Sequence, residues 1–116
     1  MAQITCYHNP RCSKSRQAMK LLQEAGCEPT VVQYLKNPPD GPTLRAILKK
    51  LGLKAAELLR RKEAVYRQLN LAEKLDDEEA LVEAMVAHPV LIERPIVVAG
   101  SRACIGRPPE KVMEIL

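Results

Sequence analysis

The run Asn37-Pro38-Pro39-Asp40-Gly41-Pro42 predicts a break in all regular structure. Its prolines remove backbone donors and fix φ, while Gly41 loosens the chain between them. It therefore divides the sequence into parts of different character. Before it come a strand, a helix and a strand; after it comes a long helical stretch, and strands return only near the C-terminus. A βαβ opening and a β-hairpin ending, separated by helices, leave few topologies open.

Ile4 to Tyr7 is short and β-prone, and it stops at the turn signal His8-Asn9-Pro10. From about Ser13, Ala18, Leu21, Leu22 and Ala25 recur at helical spacing, and Gly26 is placed to end the helix. Thr30 to Leu35, rich in Val, reads as a second strand. Beyond the proline-rich run, Leu44, Ile47, Leu48 and Leu51 follow i, i+3, i+4, i+7 spacing, with Thr43 as N-cap and Gly52 after the end. Short helical stretches follow near 55–60 and 65–69. Asp76 with Glu79 resembles a capping box opening a helix that His88-Pro89 closes, with Ala80, Leu81, Ala84, Met85 and His88 on one side. Pro95-Ile96-Val97-Val98 and Arg102-Ala103-Cys104-Ile105 flank Gly100-Ser101, a link suited to a tight hairpin. Pro108-Pro109 opens a terminal helix carrying Val112, Met113 and Leu116. The expectation is an α/β protein of thioredoxin-like fold. A single domain spans 1–116, with a mixed four-stranded sheet and a helical insertion, about 43–88, between the second and third strands.

A chain of 116 residues supports one core. With no Trp or Phe, that core must use Leu, Val, Ile, Ala and Met. The start MAQITCYHNPRC lacks the basic segment and apolar run of a secretory signal, and no stretch is long enough to span a bilayer. The expected location is cytoplasmic, with no membrane partner. There Cys6, Cys12, Cys27 and Cys104 stay as free thiols. They form no C-x-x-C pair, and neither histidine stands at ligand spacing from a cysteine pair, so no metal site is expected. The net charge of +4 is spread over helix faces among acids, and the three Tyr offer no stacking platform. Nucleic-acid binding is therefore not expected, whereas a small anionic ligand is compatible.

Cys12 lies where a strand has ended and a helix begins. The unpaired N–H groups and positive dipole end there favour an anion, which lowers a thiol's pKa. His8 and Arg11 or Arg16 add positive potential, and this polar setting argues against a buried, inert thiol. Ala18 stands where a C-x5-R phosphatase loop needs arginine, and Ser15 where a dithiol motif needs cysteine. A distant or external thiol must therefore regenerate Cys12. Cys6 and Cys104 read as packing residues. Arg60, Arg94 and Arg107 sit in restrictive settings, and each presents a planar fork suited to an oxyanion. In a thioredoxin-like sheet the turn before the third strand faces the first helix and often contains a cis-proline. Pro95 occupies that place, so Arg94 is expected to point toward Cys12.

The segments HNPRCSKSR, YLKNPP, LLRRK, HPVLIERPIVV and CIGRPPE, in this order along nearly the whole chain, resemble the glutaredoxin-coupled arsenate reductase family. The resemblance implies that Cys12 attacks arsenic, that His8 assists thiolate formation, and that Ser15 is a hydrogen-bonding neighbour of the thiolate. It implies that Arg60, Arg94 and Arg107 hold the oxyanion. It further implies a covalent Cys12–arsenate adduct resolved by glutathione and glutaredoxin, with arsenite released. Glutathione acts as co-substrate, and no bound cofactor, metal or flavin is needed. A related glutathione-dependent thiol oxidoreductase with another substrate is the second reading. A regulator that binds RNA polymerase is the third; Ser15 in place of a second cysteine speaks against it.

Overall fold

The computed structural model describes residues 3–116. Two compact units are present: one runs up to Asn37 and resumes at Arg94, and the other spans Pro38–Glu93. Among the described residues, no helix is long and apolar enough to cross a membrane.

The first unit holds the whole sheet. Its strands are β1 (Ile4–Tyr7), β2 (Thr30–Val32), β3 (Ile96–Ala99) and β4 (Arg102–Ile105), in spatial order β2-β1-β3-β4. β1 runs parallel to β2, whereas β1–β3 and β3–β4 are antiparallel. This is the expected mixed sheet of a thioredoxin-like α/β fold. Helix α1 (Ser13–Glu24) supplies the crossover between the parallel strands and buries Ser15, Ala18 and Leu22 on one face. Ala18 and Leu22 pack with Cys6, Val97 and Val112 in a core that Met19, Cys27 and Cys104 flank. Fully burying a Leu or Val side chain contributes about 1.5–3 kcal/mol, so this small cluster ties α1 to the sheet. The C-terminal segment Pro109–Ile115 packs with α1 and is a 3-10 helix rather than the α-helix its spacing suggests. The Lys111 N–H bonds back three residues to the Pro108 carbonyl at 3.0 Å.

Two elements of this unit differ from the sequence reading. The second strand stops at Val32, not Leu35, because the Gln33 carbonyl accepts from both Lys36 and Asn37 N–H, each at 2.9 Å, and folds the chain into a turn. Helix α1 leaves Leu21 half-buried and Ala25 exposed, so its apolar stripe is narrower than the spacing implies.

The hairpin register is set at its turn: Ala99 pairs with Arg102 across Gly100-Ser101, and Ile96 with Ile105 at the far end. Gly100 has φ 63°, the left-handed value that a two-residue hairpin turn needs at its first position. Arg94 and Arg107 each lie two residues beyond the last pair. Both the Arg94–Pro95 and Arg107–Pro108 peptide bonds are cis.

The second unit consists of α2 (Gly41–Leu51), α3 (Ala55–Leu58), α4 (Ala64–Gln68) and α5 (Glu78–Ala87), with 3-10 turns at Leu71–Glu73 and Pro89–Leu91. Leu44, Ile47 and Leu48 of α2, Leu58 of α3, and Leu81, Val82 and Met85 of α5 are buried, α5 packing with both α2 and α3. Helix α2 starts earlier than the sequence reading, inside the proline-rich run at Gly41, and the α5 cap shifts to the next residue. Asp40, not Thr43, caps α2: its Oδ1 accepts from Thr43 N–H at 2.9 Å, with Pro42 inside the first turn. Asp77, not Asp76, caps α5, accepting from Ala80 N–H at 3.1 Å, while Glu79 turns outward to Arg45 at 2.6 Å. An extended bridge joins Leu59 to Ile92, with Arg60 N–H donating to Leu91 O at 2.7 Å and Glu93 N–H to Leu58 O at 3.0 Å.

Candidate active site

The loop His8–Arg11 is built by its own side chains. Asn9 Oδ1 accepts from Arg11 N–H at 3.0 Å, and Asn9 O accepts from Cys12 N–H at 3.0 Å, a turn that delivers Cys12 to the start of α1. Cys12 is the N-cap of that helix, in extended backbone conformation. Arg16 secures the loop from below, donating to Pro10 O at 2.9 Å.

Cys12 is 9% exposed, which corrects the expectation of an open, polar thiol. Burial alone raises its pKa, yet the net shift is downward, because the Ser15 and Lys14 backbone N–H groups and the Arg94 guanidinium all favour the thiolate. Arg107 Nη2 lies 3.4 Å from Cys12 Sγ, and its Nε donates to the Arg94 carbonyl at 2.8 Å. The sulfur thus sits among oriented backbone dipoles and two guanidinium groups. A charge-rich, water-poor site of this kind can stabilise a thiolate and the oxyanion it attacks.

Ser15 is fully buried, and its hydroxyl is held by the loop before α1. It accepts from Asn9 N–H at 3.0 Å and lies 2.6 Å from His8 Nδ1. The His8 pKa is lowered by burial and by the positive charge of Arg16. A neutral ring that accepts the Ser15 proton at Nδ1 carries its own proton on Nε2. Ser15 therefore meets Cys12 through its backbone N–H and His8 through its side chain.

The structure brings Cys12, Ser15, His8, Arg94 and Arg107 together within the first unit. Arg60 belongs to the helical unit, where it is 20% exposed; its Nη1 donates to Glu93 Oε1 at 2.7 Å and its Nε to Glu63 Oε1 at 3.3 Å. Sequence reasoning missed these two carboxylates. Glu63 stands at i+3 from Arg60, a signal that was readable, whereas Glu93 reaches it only through the Leu59–Ile92 bridge. It also missed Gly106. A Cβ there would stand 2.8 Å from Pro95 Cγ, 3.2 Å from Val112 Cγ1 and 3.3 Å from Ala18 Cβ. Only glycine allows the residue before Arg107 to lie against Pro95, to whose carbonyl it donates at 2.8 Å.

The profile of the ArsC family matches residues 7–115. The uncharacterized protein YfgD of Escherichia coli K12 is 58% identical over 98% of this chain and 97% of its own length. An arsenate reductase of Neisseria meningitidis serogroup B is 46% identical, with both chains covered completely. A solved structure described as arsenate reductase from Vibrio cholerae superposes with a TM-score of 0.95 at 45% identity, covering 99% of this chain and 98% of the other.

Proposed function

The chain belongs to the ArsC family, and from that premise we propose that it is a cytoplasmic arsenate reductase that draws its electrons from glutathione and glutaredoxin. The observation that carries this reading is the setting of Cys12: a thiol of lowered pKa with Arg94 and Arg107 beside its sulfur.

In the proposed reaction the Cys12 thiolate attacks arsenic, a sulfur–arsenic bond forms, and one oxygen leaves as water once protonated. Arg94 and Arg107 neutralise the oxyanion as it gathers charge. Arg60 enters as third anion ligand on the family resemblance alone. Glutathione then attacks Cys12 sulfur. The sulfur–arsenic bond breaks with its electron pair passing to arsenic, which falls from the pentavalent to the trivalent state and leaves as arsenite. Cys12 is left in a mixed disulfide with glutathione, which the glutaredoxin thiol reduces. Two thiols become one disulfide as arsenic gains two electrons. His8, through Ser15, holds the loop that presents Cys12.

The test is a coupled assay: arsenate-dependent NADPH oxidation with glutathione, glutaredoxin and glutathione reductase. Cys12→Ser should abolish the rate, and Arg94→Ala should raise the arsenate concentration required. No arsenate dependence in protein whose Cys12 alkylates as a thiolate would overturn the substrate assignment.

A further inference from the structure

On the outer side of the loop that ends in Cys12 lies a groove of about 230 Å³, lined by His8, Asn9, Pro10, Arg11, Gln33, Leu35 and Lys36. All of these residues belong to the first unit. We propose that this groove is the binding site for glutathione itself, with Arg11 and Lys36 taking its two carboxylates. The proposal rests on the reading that Cys12 is regenerated by an external thiol, and it assigns a place from which that thiol is delivered.

Three features support it. The first is charge: the lining contains two cations and no acidic residue, although the chain carries 14 acids. Glutathione at neutral pH has two carboxylates and one ammonium group, so its net charge complements that lining. The second is construction. The Gln33 carbonyl accepts from Lys36 and Asn37 N–H, each at 2.9 Å, and holds Leu35 and Lys36 in place on one wall. The turn closed by Asn9 Oδ1 on Arg11 N–H holds the other. Leu35 is left 45% exposed, an apolar surface against which a ligand's methylene groups can lie. The third is reach. The loop that forms one wall ends at Cys12, and His8, tied at Nδ1 to Ser15, is part of that wall. The volume is small for a closed pocket, which suits a tripeptide lying partly in solvent and exchanging quickly.

The direct test uses S-methylglutathione, which cannot react, titrated into the isotope-labelled full chain and followed by amide chemical shifts. The amides of Arg11, Gln33, Leu35 and Lys36 should move together. The Arg11→Glu/Lys36→Glu double variant, with both changes on exposed side chains, should weaken binding about tenfold or more, since two solvent-facing ion pairs become repulsions. In the coupled assay Lys36→Glu should raise the glutathione KM while leaving the arsenate KM unchanged. Shifts centred elsewhere, or binding unaffected by the charge reversals, would overturn the proposal. A Lys36→Glu effect confined to the glutaredoxin KM would also overturn it, because the groove would then serve a protein partner. The titration contains no arsenate, so it still stands if arsenate proves to be the wrong substrate.

Discussion

Gly106→Ala should damage the cysteine site without touching it. The new Cβ would stand 2.8 Å from Pro95 Cγ, where carbon atoms prefer about 3.5–4.0 Å, an overlap of about 0.7 Å. Val112 Cγ1 at 3.2 Å and Ala18 Cβ at 3.3 Å close the other directions, and both residues are fully buried. The strain must therefore be relieved at the backbone linking Gly106 to Pro95. Overpacking of this kind costs about 1–3 kcal/mol, a fall in Tm of about 4–12 °C for a domain of this size. That backbone also carries Arg107, whose guanidinium lies 3.4 Å from Cys12 Sγ. The rate of Cys12 alkylation by iodoacetamide at pH 7, read by mass spectrometry on the Cys12 peptide, should fall together with Tm. Gly52→Ala is the control. Its φ of 70° makes a side chain costly by about 1–2 kcal/mol, but nothing lies within 4 Å and it belongs to the helical unit. It should lower Tm and leave the alkylation rate alone. A Gly106→Ala protein that melts within 1 °C of the parent, or a Gly52→Ala protein whose Cys12 slows equally, would refute the reasoning.

The Cys12 alkylation midpoint should lie below the ordinary thiol value of 9.0 and move upward in Arg94→Ala; an unmoved midpoint would show that the backbone dipoles suffice. A depressed folded pKa stabilises the fold above pH 9.0 and loses that contribution as pH falls through the folded value. Cys12→Ser should therefore flatten the rise in stability between neutral pH and 9, measured by urea denaturation. Cys6 has the opposite sign: burial, then the neighbouring Cys104, push its thiol to about 12. Its contribution is complete below pH 9.0 and is lost as pH rises toward 12, so Cys6→Ala should show a shallower alkaline decline than the parent from its own, lower baseline. Asp77→Ala should cost about 1 kcal/mol through the lost cap of α5, whereas Asp76→Ala should be nearly silent in the same denaturation series.

Much of this architecture can be read from residue order. Periodicity located β1, α1, α2, α5 and the hairpin, because each presents one apolar face of regular spacing. The errors fall at ends, where a single local hydrogen bond decides. Asp40 outcompetes Thr43 because Pro42 fits inside the first turn, and the Gln33 carbonyl ends β2 by accepting two amides that no apolar pattern announces. At the site, the sequence placed Cys12 at the start of α1, as the structure has it, but its polar setting implied exposure, since composition does not register the two guanidinium groups beside the sulfur. Ser15, expected as a hydrogen-bonding neighbour of the thiolate, meets Cys12 through its amide, while its hydroxyl goes to His8. Gly106 and Glu93 were illegible for a shared reason. Their roles depend on contacts made across the fold rather than along the chain.

The hairpin also acts as a caliper. Arg94 and Arg107 extend two residues past the Ile96–Ile105 pair, so the span between their guanidinium groups is counted outward from Gly100-Ser101 at the opposite end. One residue gained or lost in that turn would reverse the facing of every side chain on one arm and pull one jaw off the sulfur. The turn lies at the other end of the hairpin, yet its length is as tightly bound to the setting of Cys12 as the arginines are. Changes in chain length are better absorbed at surfaces that measure nothing, such as the exposed stretch 72–74.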